Sequence, residues 1–244
     1  MKKVFENEDF AVFDEFLSLD DFQLMWRYFQ AEDFRFIHGS KWVKINRLID
    51  GNPLFGTPYI SNPIENDSTS KIYPVGNGID IIFREIISQE KTIAPWVGER
   101  GQDWKVFFAR PYLYPQGTGL AWHDDYTGVS GACIFYLHPE WNVSWGGELM
   151  IADSSTRNLS RPKFQMYGSD DPKVIGPYLD NAYENERLLD VGVGHFIQPK
   201  PNRFVVLKSG VQHMIKKIDS AAGDRCRCSI AGFFLNPEKV DTRN

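Results

Sequence analysis

Two histidines and an aspartate are spaced in this chain as a metal site would space them. The run Trp122-His123-Asp124-Asp125 carries a His-x-Asp pair, and His213 lies 88 residues beyond Asp125. On an extended strand, successive side chains point to opposite faces and residues two apart share one. His123 and Asp125 then converge on one side, and a histidine from a distant strand completes a triangle. Two imidazoles and one carboxylate on one face of a metal leave the opposite positions open, the ligand set of non-haem Fe(II) centres. Arg227 follows His213 by 14 residues. Its planar fork suits an anionic co-substrate, because it grips a carboxylate through two parallel hydrogen bonds.

Neighbouring residues compete for these roles. Asp124 adjoins Asp125, but strand alternation turns it to the other face, toward the surface or a substrate. Arg225 shares strand parity with Arg227 and is a second candidate for the anion. His195 precedes the apolar Phe196-Ile197 and reads as a core or surface histidine. His138, before Pro139, reads as a turn hydrogen-bonding group, and His38, beside Gly39-Ser40, as loop. Trp122, Trp141 and Trp145 read as core or sheet-face aromatics, with Trp145 also a candidate wall of a substrate pocket.

The elements that must position these residues have two textures. Residues 8–31 read as helical, with Phe13, Phe16 and Leu17 on one face, a cap at Ser18-Leu19-Asp20-Asp21 and a second helix over Phe22–Phe29. Residues 48–75 are rich in Gly, Pro, Asn and Ser and read as an ordered loop. Ile79–Ile93 keeps a helical period through Ile82, Phe83, Ile86 and Ile87. From Trp104 onward, short strands alternate with Gly and Pro turns. The strand candidates are Lys105–Tyr112, Gly119–His123, Ala132–His138, Gly147–Ala152, Gly194–Gln198, Arg203–Leu207, His213–Ile218 and Cys226–Phe234. Eight such strands predict a mainly β fold, a double-stranded jelly roll, with N-terminal helices buttressing one sheet. One domain is expected over 1–244: support over 1–100, and a core over 101–238 interrupted by an insertion at 153–190. That insertion holds Arg157, Arg161, Lys163 and Tyr167 and reads as a substrate-recognition cover, with Arg157 and Arg161 as partners for a substrate carboxylate.

Composition narrows the function classes. The chain has 244 residues, 42% of them hydrophobic and 14% aromatic, enough for a sizeable core. A net charge of −5 and an absent basic stripe argue against a nucleic-acid partner. Three cysteines, Cys133, Cys226 and Cys228, give neither a disulfide framework nor a zinc motif and read as small buried residues. No secretory leader or membrane-spanning run is visible, so the expectation is a cytoplasmic protein without a membrane partner. Oligomeric state is not legible.

The run Tyr114-Pro115-Gln116-Gly117-Thr118-Gly119-Leu120-Ala121-Trp122-His123-Asp124-Asp125 resembles the stretch that introduces the metal in prolyl-4-hydroxylase-like 2-oxoglutarate/Fe(II)-dependent oxygenases. The likeness continues through Tyr136-Leu137-His138-Pro139-Glu140-Trp141 and Gly146-Gly147-Glu148-Leu149, similar to that family's Tyr-Leu-Asn-x-x-Trp and Gly-Gly-x-Leu. It closes at Arg227-Cys228-Ser229-Ile230-Ala231-Gly232-Phe233-Phe234, and it covers roughly 104–236. The resemblance implies that His123, Asp125 and His213 hold Fe(II). It implies that Arg227 and Tyr136 bind the distal carboxylate of 2-oxoglutarate, and that Tyr114 lines the co-substrate pocket. The Ser-Ile-x-x-Phe-Phe after Arg227 favours it over Arg225. The gap from Asp125 to His213 is longer than the family's usual one, by about the insertion.

The implied activity is a dioxygenase that hydroxylates an unactivated C–H bond of a small-molecule or peptide substrate of amino-acid type, releasing succinate and CO2, with ascorbate as a possible reductant. Asp125 stands where related halogenases have a small residue, which makes hydroxylation the default over halogenation or desaturation. The competing class is a cupin-like, non-enzymatic metal-binding module, which needs neither Arg227 nor Tyr136.

Overall fold

Alternation along one strand sets the layering of the molecule. In Val106–Tyr114 the residues Phe107, Ala109 and Leu113 pack into one hydrophobic cluster, while Tyr112 and Tyr114 face a second. The computed structural model describes residues 1–39, 46, 48–65, 67–125, 128–156 and 182–239. Within them the strands are β1 (Lys2–Glu6), β2 (Phe10–Asp14), β3 (Arg35–Phe36), β4 (Leu54–Phe55), β5 (Tyr59–Ile60), β6 (Lys71–Ile72), β7 (Val106–Tyr114), β8 (Leu120–His123), β9 (Val129–Tyr136), β10 (Leu149–Ala152), β11 (Gly194–Ile197), β12 (Phe204–Lys208), β13 (His213–Ile215) and β14 (Arg227–Leu235). The helices are α1 (Leu19–Gln30), α2 (Asp80–Ser88), α3 (Glu90–Val97) and α4 (Ala182–Val191).

Two sheets face each other, antiparallel throughout except for the β5–β6 pair. The larger has the order β1-β2-β12-β9-β14-β7-β4-β3, with β5 and β6 attached at β7; the smaller is β11-β10-β13-β8. Each central strand of the large sheet sends alternate residues to opposite clusters. Phe13, Phe135, Phe204, Val206 and Ile230 join the helical residues Met25, Phe83, Ile86 and Trp96 on one side. Val12, Ile134, Val205 and Leu207 meet Leu149, Ile151 and Ile197 of the small sheet on the other. The helices therefore buttress the large sheet, and the small sheet closes its opposite face. Fully burying an aromatic or aliphatic side chain contributes about 1.5–3 kcal/mol, so these two clusters fix the spacing of the layers. All eight expected strands are present, with ends shifted by a few residues.

The N-terminal reading needs correction. Residues 10–14 are not helical; β2 is a fully buried strand between β1 and β12. Phe10-Ala11-Val12-Phe13 is a continuous apolar run, and a strand buried on both faces has no alternation to betray it. The helix does start at Ser18, whose hydroxyl accepts the Asp21 N–H at 3.1 Å. The single helix expected over Ile79–Ile93 is two, α2 and α3, which meet at Gln89. Residues 48–75 are more ordered than a loop: β4 and β5 extend the large sheet along β7. Pro111, which lacks an N–H, sits where the partner of β7 changes from β5 to β4, so no ladder bond is lost.

Candidate active site

The two histidines are directly paired across adjacent strands. His123 ends β8 and His213 begins β13, and they are cross-strand partners with rings 4.2 Å apart. Between this pair and the next, Leu120 with Ile215, β8 carries one extra residue, a bulge of the kind that re-aims side chains beside functional sites. Each Nδ1 lies against a backbone carbonyl two residues back: 2.8 Å from Ala121 O for His123 and 2.9 Å from Val211 O for His213. A carbonyl only accepts, so each Nδ1 carries the proton and each Nε2 presents a lone pair. Asp125 supplies the third ligand atom. Its Oδ2 is 3.4 Å from His213 Nε2 and its Oδ1 is 3.9 Å from His123 Nε2. The three residues form a group whose donor atoms all lie within 4.8 Å of one another. This N, N, O set, with both imidazoles fixed in the metal-ready tautomer, fits Fe(II).

Asp125 reaches the two histidines by a route other than strand alternation. β8 ends at His123, so strand alternation does not orient Asp125. What separates the two aspartates is a partner: Gln212 Nε2 donates to Asp124 Oδ2 at 2.7 Å and holds that carboxylate away from the triad. The outer edge of β8 is pinned by Asp50, whose Oδ1 accepts the Ala121 N–H at 2.9 Å and whose carbonyl accepts Gly119 N–H.

Across the cavity, the large sheet presents a buried cation. Arg227 is 0% exposed. Its Nε donates to Gly147 O and its Nη1 to Ser229 Oγ, both at 3.0 Å, while Nη2 is buried without a partner among the described residues. No carboxylate there pairs with it. Its guanidinium lies 4.8 Å from the Tyr136 ring centre and 5.2 Å from that of Tyr114. The Tyr136 hydroxyl is likewise buried and without a hydrogen-bond partner. Burial pushes the phenols of Tyr136 and Tyr114 up, against the pull of Arg227, so both stay protonated donors at neutral pH. Room for Arg227 depends on Gly147: its backbone is left-handed (φ +75°), and a Cβ there would come within 3.0 Å of Arg227 Cδ and 2.7 Å of Ile218 Cδ1. The Gly-Gly-x-Leu motif thus has a steric cause. Arg225, by contrast, lies outside the strand and is exposed, paired with Glu140 at 2.8 Å. A buried cation needs an anion, and two unpartnered donors side by side fit the carboxylate of 2-oxoglutarate.

The remaining sequence candidates fall elsewhere. Trp145 packs edge-on against Trp141 in the cluster with Ile215 and Ile218, not on the wall of the cavity between the sheets. Arg157 and Arg161, with most of the 153–190 insertion, lie outside the described residues. His138 is more than a turn group: its ring bridges Pro199 O and the backbone of Cys228, and burial pushes it down to about 4. His195 packs between Phe5 and Phe10. Three hydrogen-bonding residues that line the cavity escaped the sequence reading, namely Tyr112, Asn46 and Ser229. Tyr112 and Ser229 share strand parity with Tyr114 and Arg227, so alternation pointed to them; Asn46 has no sequence signal.

With this geometry in view, the comparisons with known proteins are specific. Residues 109–235 match the 2OG-Fe(II) oxygenase superfamily, and the chain belongs to it. The protein is therefore an Fe(II)- and 2-oxoglutarate-dependent oxygenase, which sets aside the non-enzymatic alternative. Among solved structures it is similar to a Pseudomonas putida prolyl-4-hydroxylase, with a TM-score of 0.60 and 16% identity over 93% of both chains. It is also similar to a Trichoplax adhaerens prolyl hydroxylase in complex with a hypoxia-inducible-factor peptide fragment (0.59; 16%; 98% of this chain and 88% of that one). A third likeness is to a non-heme α-ketoglutarate-dependent epimerase from nogalamycin biosynthesis (0.55; 11%; 94% and 79%). These identities speak to the fold. Among curated proteins, none matches the sequence. Among the described residues, no helix is long and apolar enough to cross a membrane.

Proposed function

We propose that this oxygenase hydroxylates an unactivated C–H bond of an amino-acid-like substrate and converts 2-oxoglutarate to succinate and CO2. His123, Asp125 and His213 hold Fe(II) in this reading. Arg227 and Tyr136 take the far carboxylate of 2-oxoglutarate, and Tyr114 walls its pocket. The observation that carries the reading is Arg227, a buried guanidinium with no carboxylate partner among the described residues, lining the same cavity as the triad with the Tyr136 ring beside it. When bound, the iron supplies the oxygen chemistry that couples decarboxylation of 2-oxoglutarate to oxidation of the substrate.

The protein's own residues supply position and polarity. The two Nδ1–carbonyl bonds fix the ring orientation and aim each Nε2 at the centre of the triad. Arg227, set between two tyrosine rings and tied to Gly147 and Ser229, is preorganised for a carboxylate rather than drawn to one. Ile134, Leu207 and Ile215 line the cavity and limit water. Asp125 fills the third ligand position, which leaves no place there for chloride and supports hydroxylation.

The test is anaerobic loading with Fe(II) and 2-oxoglutarate, followed by oxygen, with ascorbate present and succinate measured across amino acids and peptides. Substrate-stimulated succinate and a hydroxylated product are expected. A protein that binds neither Mn(II) nor 2-oxoglutarate contradicts the reading.

A further inference from the structure

The strand face that walls the cavity carries a second arginine, beside the lining residues Tyr112 and Ala231. Arg110 lies on β7, four residues before Tyr114, with Tyr112 between them on the same strand face. It is the register partner of Ala231, which lines the cavity, as Tyr112 is of Ser229 and Tyr114 of Arg227. Three successive pairs thus run along the inner face of the large sheet, with Arg227 at one end and Arg110 at the other. At about 3.3 Å per residue, the two ends of the β7 ladder are about 13 Å apart. Tyr112 stands midway: burial raises its phenol, the adjacent Arg110 guanidinium pulls it down, and Asp125 adds a smaller push up.

Arg110 is held but not neutralised. Its guanidinium stacks 4.7 Å from the ring centre of Phe55 and 5.9 Å from that of Phe108. Its Nε is buried without a hydrogen-bond partner, and no carboxylate among the described residues pairs with it. Four other arginines are answered by carboxylates: Arg203 by Asp14, Arg84 by Asp21, Arg100 by Glu90 and Arg225 by Glu140. A donor from another segment faces the cavity. Asn46 lines it, is 7% exposed, and has its Nδ2 buried without a partner. Arg110 and Asn46 together present donors and an uncompensated positive charge, and an aromatic shelf holds the charge in place. Such a set matches a ligand that only accepts.

We propose that Arg110, assisted by the Asn46 amide, receives a free carboxylate of the substrate, so that the enzyme acts on a compound carrying that carboxylate rather than on a residue inside a polypeptide. This rests on the iron and 2-oxoglutarate reading above, which gives the other end of the cavity to the co-substrate. With the metal group facing the middle of the ladder, the oxidised carbon lies a few bonds from the anchored carboxylate. That is the geometry of a free amino acid or of a C-terminal residue.

The test measures binding to protein loaded with Mn(II) and 2-oxoglutarate, which does not turn over. The probes are the common L-amino acids, their carboxamides, and short peptides carrying the best-binding residue either at the C-terminus or internally. At least one free acid should bind, and its carboxamide should bind about 10- to 100-fold more weakly, the range for losing a hydrogen bond to a charged group. Arg110→Ala should weaken the acid by a similar factor and leave the carboxamide unchanged, while 2-oxoglutarate and Mn(II) affinities stay at wild-type values. Arg110→Lys should recover part of the loss, and Asn46→Asp should weaken the acid further. Binding of the C-terminal peptide as well as the free acid identifies a peptide end as the source of the carboxylate. Internal-residue peptides binding as tightly as free acids, an Arg110→Ala protein with unchanged acid affinity, or a wild type that binds no acid in either form each overturns the proposal. If wild type fails to bind Mn(II) or 2-oxoglutarate, the underlying assignment falls, and this one with it.

Discussion

The two sheets divide the work unequally. The small sheet has four short strands and supplies both histidines of the proposed metal site. The large sheet has ten strands, is backed by helices, and supplies Tyr114, Tyr136 and Arg227. The contrast follows from what each ligand demands. A metal ion enforces its own geometry once donors are near, so short strands, a bulge and two local Nδ1–carbonyl bonds suffice. A carboxylate imposes little, so the protein must hold a buried cation in place before the ligand arrives. That requires long strands, a glycine cut to fit the arginine, and two aromatic walls.

This division can be broken from the small-sheet side first. His123→Ala, Asp125→Ala or His213→Ala should lower Mn(II) affinity by more than about 100-fold, since loss of an outer partner alone costs 10–100-fold. Substrate-dependent succinate should vanish, and Asp124→Ala should retain the metal. Titration calorimetry decides it, and unchanged affinity in Asp125→Ala would sink the triad. On the large-sheet side, Arg227→Met should cost about 3–5 kcal/mol of 2-oxoglutarate affinity. The same change should leave the ligand-free protein as stable as wild type or more so, because it removes an unpaired buried charge. Melting scans with and without 2-oxoglutarate would show a ligand shift in wild type only.

His138 sharpens the comparison through pH. Its folded value, about 4, lies below the ordinary 6.5 because burial disfavours the charged ring. The unfolded chain therefore binds the proton first, and the stability present above pH 6.5 is lost as pH falls toward 4. The loss amounts to about 3 kcal/mol at most. Denaturant unfolding of His138→Asn should show a shallower decline over that window; an identical slope would remove His138 from the account. Next in size, Gly147→Ala should cost about 1–3 kcal/mol through its left-handed backbone, with 2-oxoglutarate affinity falling and Mn(II) affinity unchanged. The smallest effect belongs to Arg225→Ala, within about 1 kcal/mol in stability and with no change in 2-oxoglutarate binding.

How far the residues announced this structure depended on whether a local rule was at work. The eight strands were legible because turns and alternation frame them. Arg227 stood out by its motif, and its burial against the exposed Arg225 agrees. β2 was not legible: a strand covered on both faces loses its period, and its partner β12 lies nearly 200 residues away. Asp125 was chosen by a parity that the backbone does not follow there; Gln212, just before β13, draws Asp124 aside. Arg110 shares the parity of Tyr112 and Tyr114, whereas Asn46 reaches the cavity only through tertiary packing, and no spacing rule reaches that far.

The placement of β2 bears on how the protein can be handled. β12 carries Phe204-Val205-Val206-Leu207, and β2 is what covers one of its two edges. A chain begun after residue 15 would bare that edge, a flat apolar template for other molecules to extend. Such shortened protein should collect in the insoluble fraction although the triad and every co-substrate residue are intact. A purification handle at the N-terminus is a different matter: it would extend from β1, all five of whose residues are solvent-exposed, and should be tolerated.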